Sequence, residues 1–271
     1  MITDVDGQLD EARSFLFVNY FPLLTRQIVK NNPQTQLSSR PIDFTAMLLP
    51  NQKYDAGIPE QQHAYWLYGD DDRQLVILQD SAGRLKLLPV CNLTQVESGQ
   101  IKWIGQPWRP GLPLNLFEDA DLEVPAGEDH ASWLNSWHTE QEWFSAVHLC
   151  RYSNGVIGVT EELSPLQGLV PGPPGISPVL RRYEQRRREL VRADFHVFAS
   201  DHWNFNVRFP NPGGNHGSFL RISTHSVWMM AGAGMPTQQI DHPYDSLNFA
   251  STLLDLLGKA PPMPERVVNL R

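Results

Sequence analysis

Asp194-Phe195-His196-Val197-Phe198-Ala199-Ser200-Asp201-His202 is the stretch on which the fold reading turns. A polar, aromatic loop follows it. Then come Gly213-Gly214-Asn215-His216-Gly217-Ser218 and Arg221-Ile222-Ser223-Thr224-His225-Ser226-Val227-Trp228-Met229-Met230-Ala231-Gly232. An apolar run ends in an Asp-His pair, a glycine-rich turn offers another imidazole, and a second apolar run follows. Read physically, this is a buried strand whose C-terminal end points a carboxylate and an imidazole into a cleft. Both groups suit zinc, manganese or iron. Open α/β sheets place their binding crevices at such strand ends. Glycines around His216 let the backbone turn sharply and bring that imidazole back to the same crevice. Two readings stay open for His202 and His216: ordinary loop imidazoles, or metal ligands. The combination of Asp-His after one strand with Gly-Asn-His-Gly before the next favours ligands.

Composition bounds the rest. A chain of 271 residues can bury a sizeable core as one large domain or two small ones. Hydrophobic content of 41% and charged content of 19% fit a soluble globular protein. The 22 prolines and 8 tryptophans point to long ordered loops rather than a compact bundle. A net charge of −8 argues against general nucleic-acid affinity, so no nucleic-acid-binding surface is expected, while a local basic pocket remains compatible. Two cysteines, Cys91 and Cys150, make no disulfide framework, so a reducing, cytoplasmic setting is the expectation. No run of about 18 apolar residues occurs, so no membrane-spanning helix is expected. The acidic start, Met1-Ile2-Thr3-Asp4-Val5-Asp6, lacks the basic and apolar regions of a signal peptide. The oligomeric state is left open.

Taken in order, Phe15 to Phe21 is an aromatic and β-branched run that reads as a buried strand. Four short β-like runs follow: His63 to Tyr68, Gln74 to Gln79, Arg84 to Val90 and Ile101 to Ile104. Asp70-Asp71-Asp72 and the hairpin connector Asp80-Ser81-Ala82-Gly83 separate them, so the region reads as an antiparallel meander. The acidic triplet is a solvated turn rather than a Ca²⁺ loop, because the spacing of oxygen ligands is wrong. Residues 105–137 read as a long irregular connection. Thr139 is the N-cap of a helix that carries on through Trp143, Val147, Val156 and Leu163. A breaker at Pro171-Gly172-Pro173-Pro174-Gly175 precedes a helix with Arg181, Arg182, Arg186, Arg187, Arg188 and Arg192, read as a solvated face. A last helix over Asp245 to Leu257 stops at Gly258.

Asp194 to Gly258 resembles the C-terminal half of the alkaline phosphatase superfamily, which includes phosphodiesterases and sulfatases. The matching residues are Ser200-Asp201-His202, Gly214-Asn215-His216-Gly217, Ser226 to Gly234 and Asp245 to Gly258. The Gly-Asn-His-Gly form looks most like the phosphodiesterase branch. The resemblance implies an α/β fold, with a mostly parallel sheet flanked by helices and a small inserted antiparallel β region. Residues 1–44 and 130–271 would form that core, without the usual first strand or strands. Residues 45–129 would be an inserted meander or cap with its long loop. The resemblance also implies two divalent metal ions, zinc or manganese, that clamp a transferring phosphoryl or sulfuryl group. Asp201 and His202 would ligate one ion and His216 the other, with His138 as a further candidate ligand. Thr25 stands in the nucleophile place of one alignment. The preferred alignment instead matches Phe15 to Phe21 to a later strand, so that the chain begins after the nucleophile.

Three readings follow from the resemblance. The first is a two-metal hydrolase of small phosphate or sulfate esters, with Arg221 or His225 stabilising the departing charge. The second is a catalytically incomplete relative that binds an anionic ligand or serves as a subunit. The third is a fragment. A rival outside the family is a carbohydrate- or protein-binding module built on Trp66, Tyr68, Trp103 and Trp108.

Overall fold

The computed structural model describes residues 6, 27–29, 40–49, 61–95, 101–163, 196–201, 203, 218–232, 235, 237–261 and 263–270. Its centre is one six-stranded sheet in the order β5-β4-β3-β2-β1-β6. The strands are β1 (Ile42–Leu48), β2 (Gln61–Gly69), β3 (Gln74–Asp80), β4 (Leu85–Gln95), β5 (Ile101–Gly105) and β6 (His196–Ala199). Every neighbouring pair is antiparallel.

This corrects the expected fold class, since no parallel strand pair occurs among the described residues. Two physical reasons are visible. First, the runs taken for an inserted cap are the sheet itself, and their connectors are too short for a crossover. Only Ser81 to Arg84 separate β3 from β4, and Asp70 to Arg73 separate β2 from β3. A parallel pair needs a dozen or more connecting residues. Second, β6 joins the outer edge of β1 in the antiparallel sense, with Phe44 opposite Phe198 and Ala46 opposite His196. β1 itself runs through residues 44 and 45, where the sequence reading set a domain boundary.

Strand residues alternate between two buried faces, as the period of two requires. Phe44, Ala46, Tyr65, Leu67, Leu75, Ile77, Leu85 and Leu87 belong to one cluster. Met47, Ala64, Trp66, Tyr68, Val76, Leu78 and Val90 belong to the other. Burial on both sides explains why β3 reads as an unbroken apolar run, Leu75-Val76-Ile77-Leu78.

The two connectors are built by carboxylates. Asp80 is buried and accepts hydrogen bonds from the amides of Ala82 (2.9 Å) and Arg84 (2.8 Å) and from Arg84 Nε (2.7 Å). The acidic triplet closes the other turn, with Asp71 and Asp72 in the left-handed region at φ 52° and 58°. Asp72 there accepts from the Tyr68 hydroxyl at 2.7 Å.

Helices α1 (His130–Leu134), α2 (Glu140–Val147) and α3 (Gly155–Leu163) cover the first face. Thr139 caps α2 in a reciprocal box with Glu142. Trp143 is fully buried; its indole N–H donates to the Leu85 carbonyl at 3.1 Å and so ties α2 to the start of β4. The single helix expected from Thr139 to Leu163 is therefore two helices, broken by a turn over residues 148–154. Two further helices, α4 (Arg221–Thr224) and α5 (Leu247–Leu256), follow β6. The stretch from Phe15 to Phe21 and the arginine-rich helix lie outside the described residues. No helix among the described residues is long and apolar enough to cross a membrane.

Candidate functional site

The turn that separates α2 from α3 is the place where distant parts of the chain meet. Its sequence, Arg151-Tyr152-Ser153-Asn154-Gly155, carries the Ser-Asn-Gly signature of a helix break. Gly155 and Gly158 are required on packing grounds. A Cβ on Gly155 would lie 2.8 Å from Leu114 Cδ2, and one on Gly158 would lie 2.5 Å from Phe219 Cε1. The ring of Phe219 also packs on Phe198 of β6, at 5.3 Å between centroids.

Each residue of the turn reaches a different segment. The Arg151 amide donates to Asp119 Oδ2 at 2.8 Å, and the Arg151 carbonyl accepts from the Arg221 amide at 2.8 Å. The Tyr152 hydroxyl donates to Asp43 Oδ2 on β1. Ser153 Oγ and Thr224 Oγ1 share a hydrogen bond of 2.7 Å. Phe44 meets the Tyr152 ring edge-on at 5.8 Å. Arg221 also donates to the Leu149 carbonyl and lies 4.0 Å from Asp121.

The electrostatics follow from this geometry. Burial pushes the Asp43 carboxyl above its ordinary range, and the Tyr152 hydrogen bond and the Arg151 charge act against that rise. Burial pushes the Tyr152 phenol upward, and the negative charges of Asp43 and Asp201 add to it. Tyr152 is thus a neutral donor, not a nucleophile. The Cys150 thiol is pushed up to about 12, by burial first and then by the carboxylates of Asp119 and Asp121, so it is inert. His225 is held below its ordinary value by desolvation, with the charges of His148 and Arg221 adding to the effect.

Asp201 sits in the turn just past β6, and its charge is felt at Tyr152. The end of β6 is fixed by the Ser200 amide, which donates to the Pro41 carbonyl at 2.8 Å. Asp43 on β1 thus accepts from the buried phenol, while Asp201 lies past the end of β6, the strand paired with β1. No protein-family model, curated protein or solved structure matches the chain.

The remaining residues singled out from sequence fall elsewhere. Thr25, His202 and His216 lie outside the described residues. His138 is built into the wall between β4 and the helices. Its backbone exchanges hydrogen bonds with Leu85 at 2.8 and 3.0 Å. Its Nε2 lies 2.8 Å from the Trp133 carbonyl, and its ring stacks on Trp133 at 4.0 Å. That ring is fixed against the β4 end of the sheet, whereas Asp201 stands beyond β6 at the other edge. No group of three or more His, Cys, Asp or Glu side chains among the described residues could hold a metal ion. The described donor set therefore does not complete a zinc or manganese centre.

Asp43, Arg151 and Tyr152 are the site residues that the sequence reading passed over. The Ser-Asn-Gly break marks the turn, and Asp43 opens an apolar run. Nothing local connects the two.

Proposed function

We propose that this protein binds a small phosphate or sulfate ester and acts as a binding protein or subunit, not as a two-metal hydrolase. One observation carries the reading. The hydrogen bond from the Arg221 amide to the Arg151 carbonyl sets two exposed arginines side by side, next to His225. Guanidinium groups match the planar oxygen pairs of phosphate and sulfate, and here one comes from the turn and one from the start of α4, where Arg221 also bonds the Leu149 carbonyl. The buried Asp43–Tyr152 pair fixes that turn to the sheet. Nucleophile chemistry has no support at the turn, where the thiol and the phenol are both held protonated.

In this reading Asp201, with His202 and His216, holds at most one zinc or manganese ion. The support for the two histidines is the sequence pattern. The cysteine usage supports a cytoplasmic setting.

Calorimetric titration of the full chain with phenyl phosphate tests the proposal. Saturable binding is expected, weakened about tenfold, or about 1.4 kcal/mol, by Arg221→Ala. A bis-nitrophenyl phosphate diester should not turn over. Turnover that disappears in Asp201→Ala would overturn the reading in favour of a hydrolase.

A further inference from the structure

His225 stands one helical turn past Arg221, and its contacts draw several basic groups to one end of α2. The Arg221 carbonyl accepts from the His225 amide at 3.0 Å, and the Arg221 amide donates to the Arg151 carbonyl at 2.8 Å. The His225 imidazole donates to the backbone of His148, and the Arg221 guanidinium donates to the carbonyl of Leu149. His148 and Leu149 are the two residues that follow α2. His148 turns its own ring back onto that helix, with Nδ1 2.8 Å from the Ser145 carbonyl. Carbonyls at the end of a helix carry partial negative charge, so they collect donors and cations. Thr224 anchors the arrangement, because its hydroxyl shares a 2.7 Å bond with the buried Ser153. The imidazole is thus held in a fixed place, yet His225 is exposed and within reach of a ligand.

The charges around this ring disfavour its protonation in the free protein. Burial acts first against the charged form, the charges of His148 and Arg221 add to that, and only the bond to the His148 backbone acts in its favour. Arg151 contributes a further positive charge from the turn. The acids of the neighbouring loop face the arginines and the thiol. Asp119 accepts from the Arg151 amide at 2.8 Å and from the Asp121 amide at 3.0 Å, Asp121 lies 4.0 Å from Arg221, and the Glu123 charge is felt at Cys150. An anion seated against the two guanidiniums offsets the repulsion and so makes the imidazolium favourable.

We infer that His225 is a third ligand-binding residue of the anion site, and that an ester seats against Arg151 and Arg221 together with one proton, which passes from solvent to the His225 imidazole. This rests on the binding function proposed for the turn. The imidazolium keeps its bond to His148 through one nitrogen and donates from the other to an ester oxygen, so the ligand meets three charged donors in place of two. Binding and protonation then reinforce each other, and the coupling is reciprocal. His225 titrates below its ordinary value in the free protein and higher in the complex. Affinity therefore rises as pH falls between those two points and levels off beneath both. Asp43 also feels the Arg151 charge, but it sits behind Tyr152, so the two groups are separable by substitution.

Calorimetric titration of the full chain with phenyl sulfate, from about pH 5 to about pH 8, tests this. Phenyl sulfate keeps one fixed charge over that range, whereas a phosphate ester loses its second proton at about 6. Affinity should rise as pH falls, by up to about tenfold per pH unit. Heats compared in buffers of different ionisation enthalpy should show uptake of up to about one proton per ester. That comparison uses the unmodified chain and does not depend on a variant folding. His225→Gln, which keeps a donor for the His148 backbone, should remove the pH dependence, while His148→Gln should retain it. No saturable binding at any pH would overturn the binding function and this inference together. Saturable binding that ignores pH or takes up no proton would leave the anion site standing and overturn this inference alone. So would a pH dependence that survives in His225→Gln or is lost in His148→Gln, because the proton then belongs to another group.

Discussion

Replacing Tyr152 by Phe removes one oxygen atom from a site where it is the donor to a buried carboxylate. Tyr152 is 2% exposed, and its hydroxyl ends on Asp43 Oδ2. A hydrogen bond to a charged group contributes about 1.5–3 kcal/mol, and the change leaves the remaining partner desolvated and unpaired. A loss of about 2 kcal/mol is expected at neutral pH. The pH dependence is more diagnostic than the size. Burial raises the Asp43 carboxyl in the folded protein, so its favourable contribution is fully present below the unfolded pKa and is lost as pH rises through the folded one. Tyr152 opposes that rise. Without the hydroxyl the folded pKa climbs further, so the cost of the substitution must grow with pH. It should be least near pH 4, about the unfolded carboxyl value, and greatest at neutral pH. Asp43→Asn keeps an acceptor for the phenol and removes the buried charge, so its stability should lie within about 1 kcal/mol of the parent or above it. Urea unfolding followed by tryptophan fluorescence measures all of this. A cost that is flat or falls with rising pH, or a Tyr152→Phe loss fully additive with Asp43→Ala, would refute the argued coupling.

Three further outcomes follow from the same reasoning. Asp80 is held below the ordinary carboxyl range: burial alone would raise it, but the bonds from Arg84 and Ala82 outweigh that. Asp80→Ala should cost about 2 kcal/mol at neutral pH. In urea titrations that cost should shrink as pH falls through the folded pKa, because the contribution exists only above the unfolded value of about 3.9. Thr139→Ala removes the α2 capping box and should lower stability by about 1 kcal/mol, with Thr139→Ser close to neutral by the same assay. Trp143→Ala should cost about 3–5 kcal/mol in thermal unfolding, since it opens a cavity against Trp133 and leaves the Leu85 carbonyl without its indole donor.

Local patterns were legible where one short stretch decides the structure. The runs read as a meander are β2 to β5, and Asp80 to Gly83 is the hairpin connector. Thr139 is an N-cap, and the helix before Gly258 is present. The error lay in ranking. The sequence places the core at a C-terminal motif and an insert at the meander, yet the meander buries apolar side chains on both faces, and among the described residues β6 is a four-residue edge strand. β1 went unread because its apolar run straddles an assumed domain boundary. His138 looked like a ligand because sequence shows residue type and spacing, not that its ring lies against Trp133. The Asp43–Tyr152 pair joins positions 109 residues apart, and no local pattern predicts such a contact.

The central claim is that the site binds without the machinery of two-metal hydrolysis, and metal stoichiometry tests it most directly. The full chain should be dialysed against buffer containing zinc and manganese, freed of loose metal, and analysed by atomic mass spectrometry alongside Asp201→Ala. At most one equivalent per chain is expected, and none in the Asp201→Ala variant. Two tightly held equivalents per chain would contradict the account.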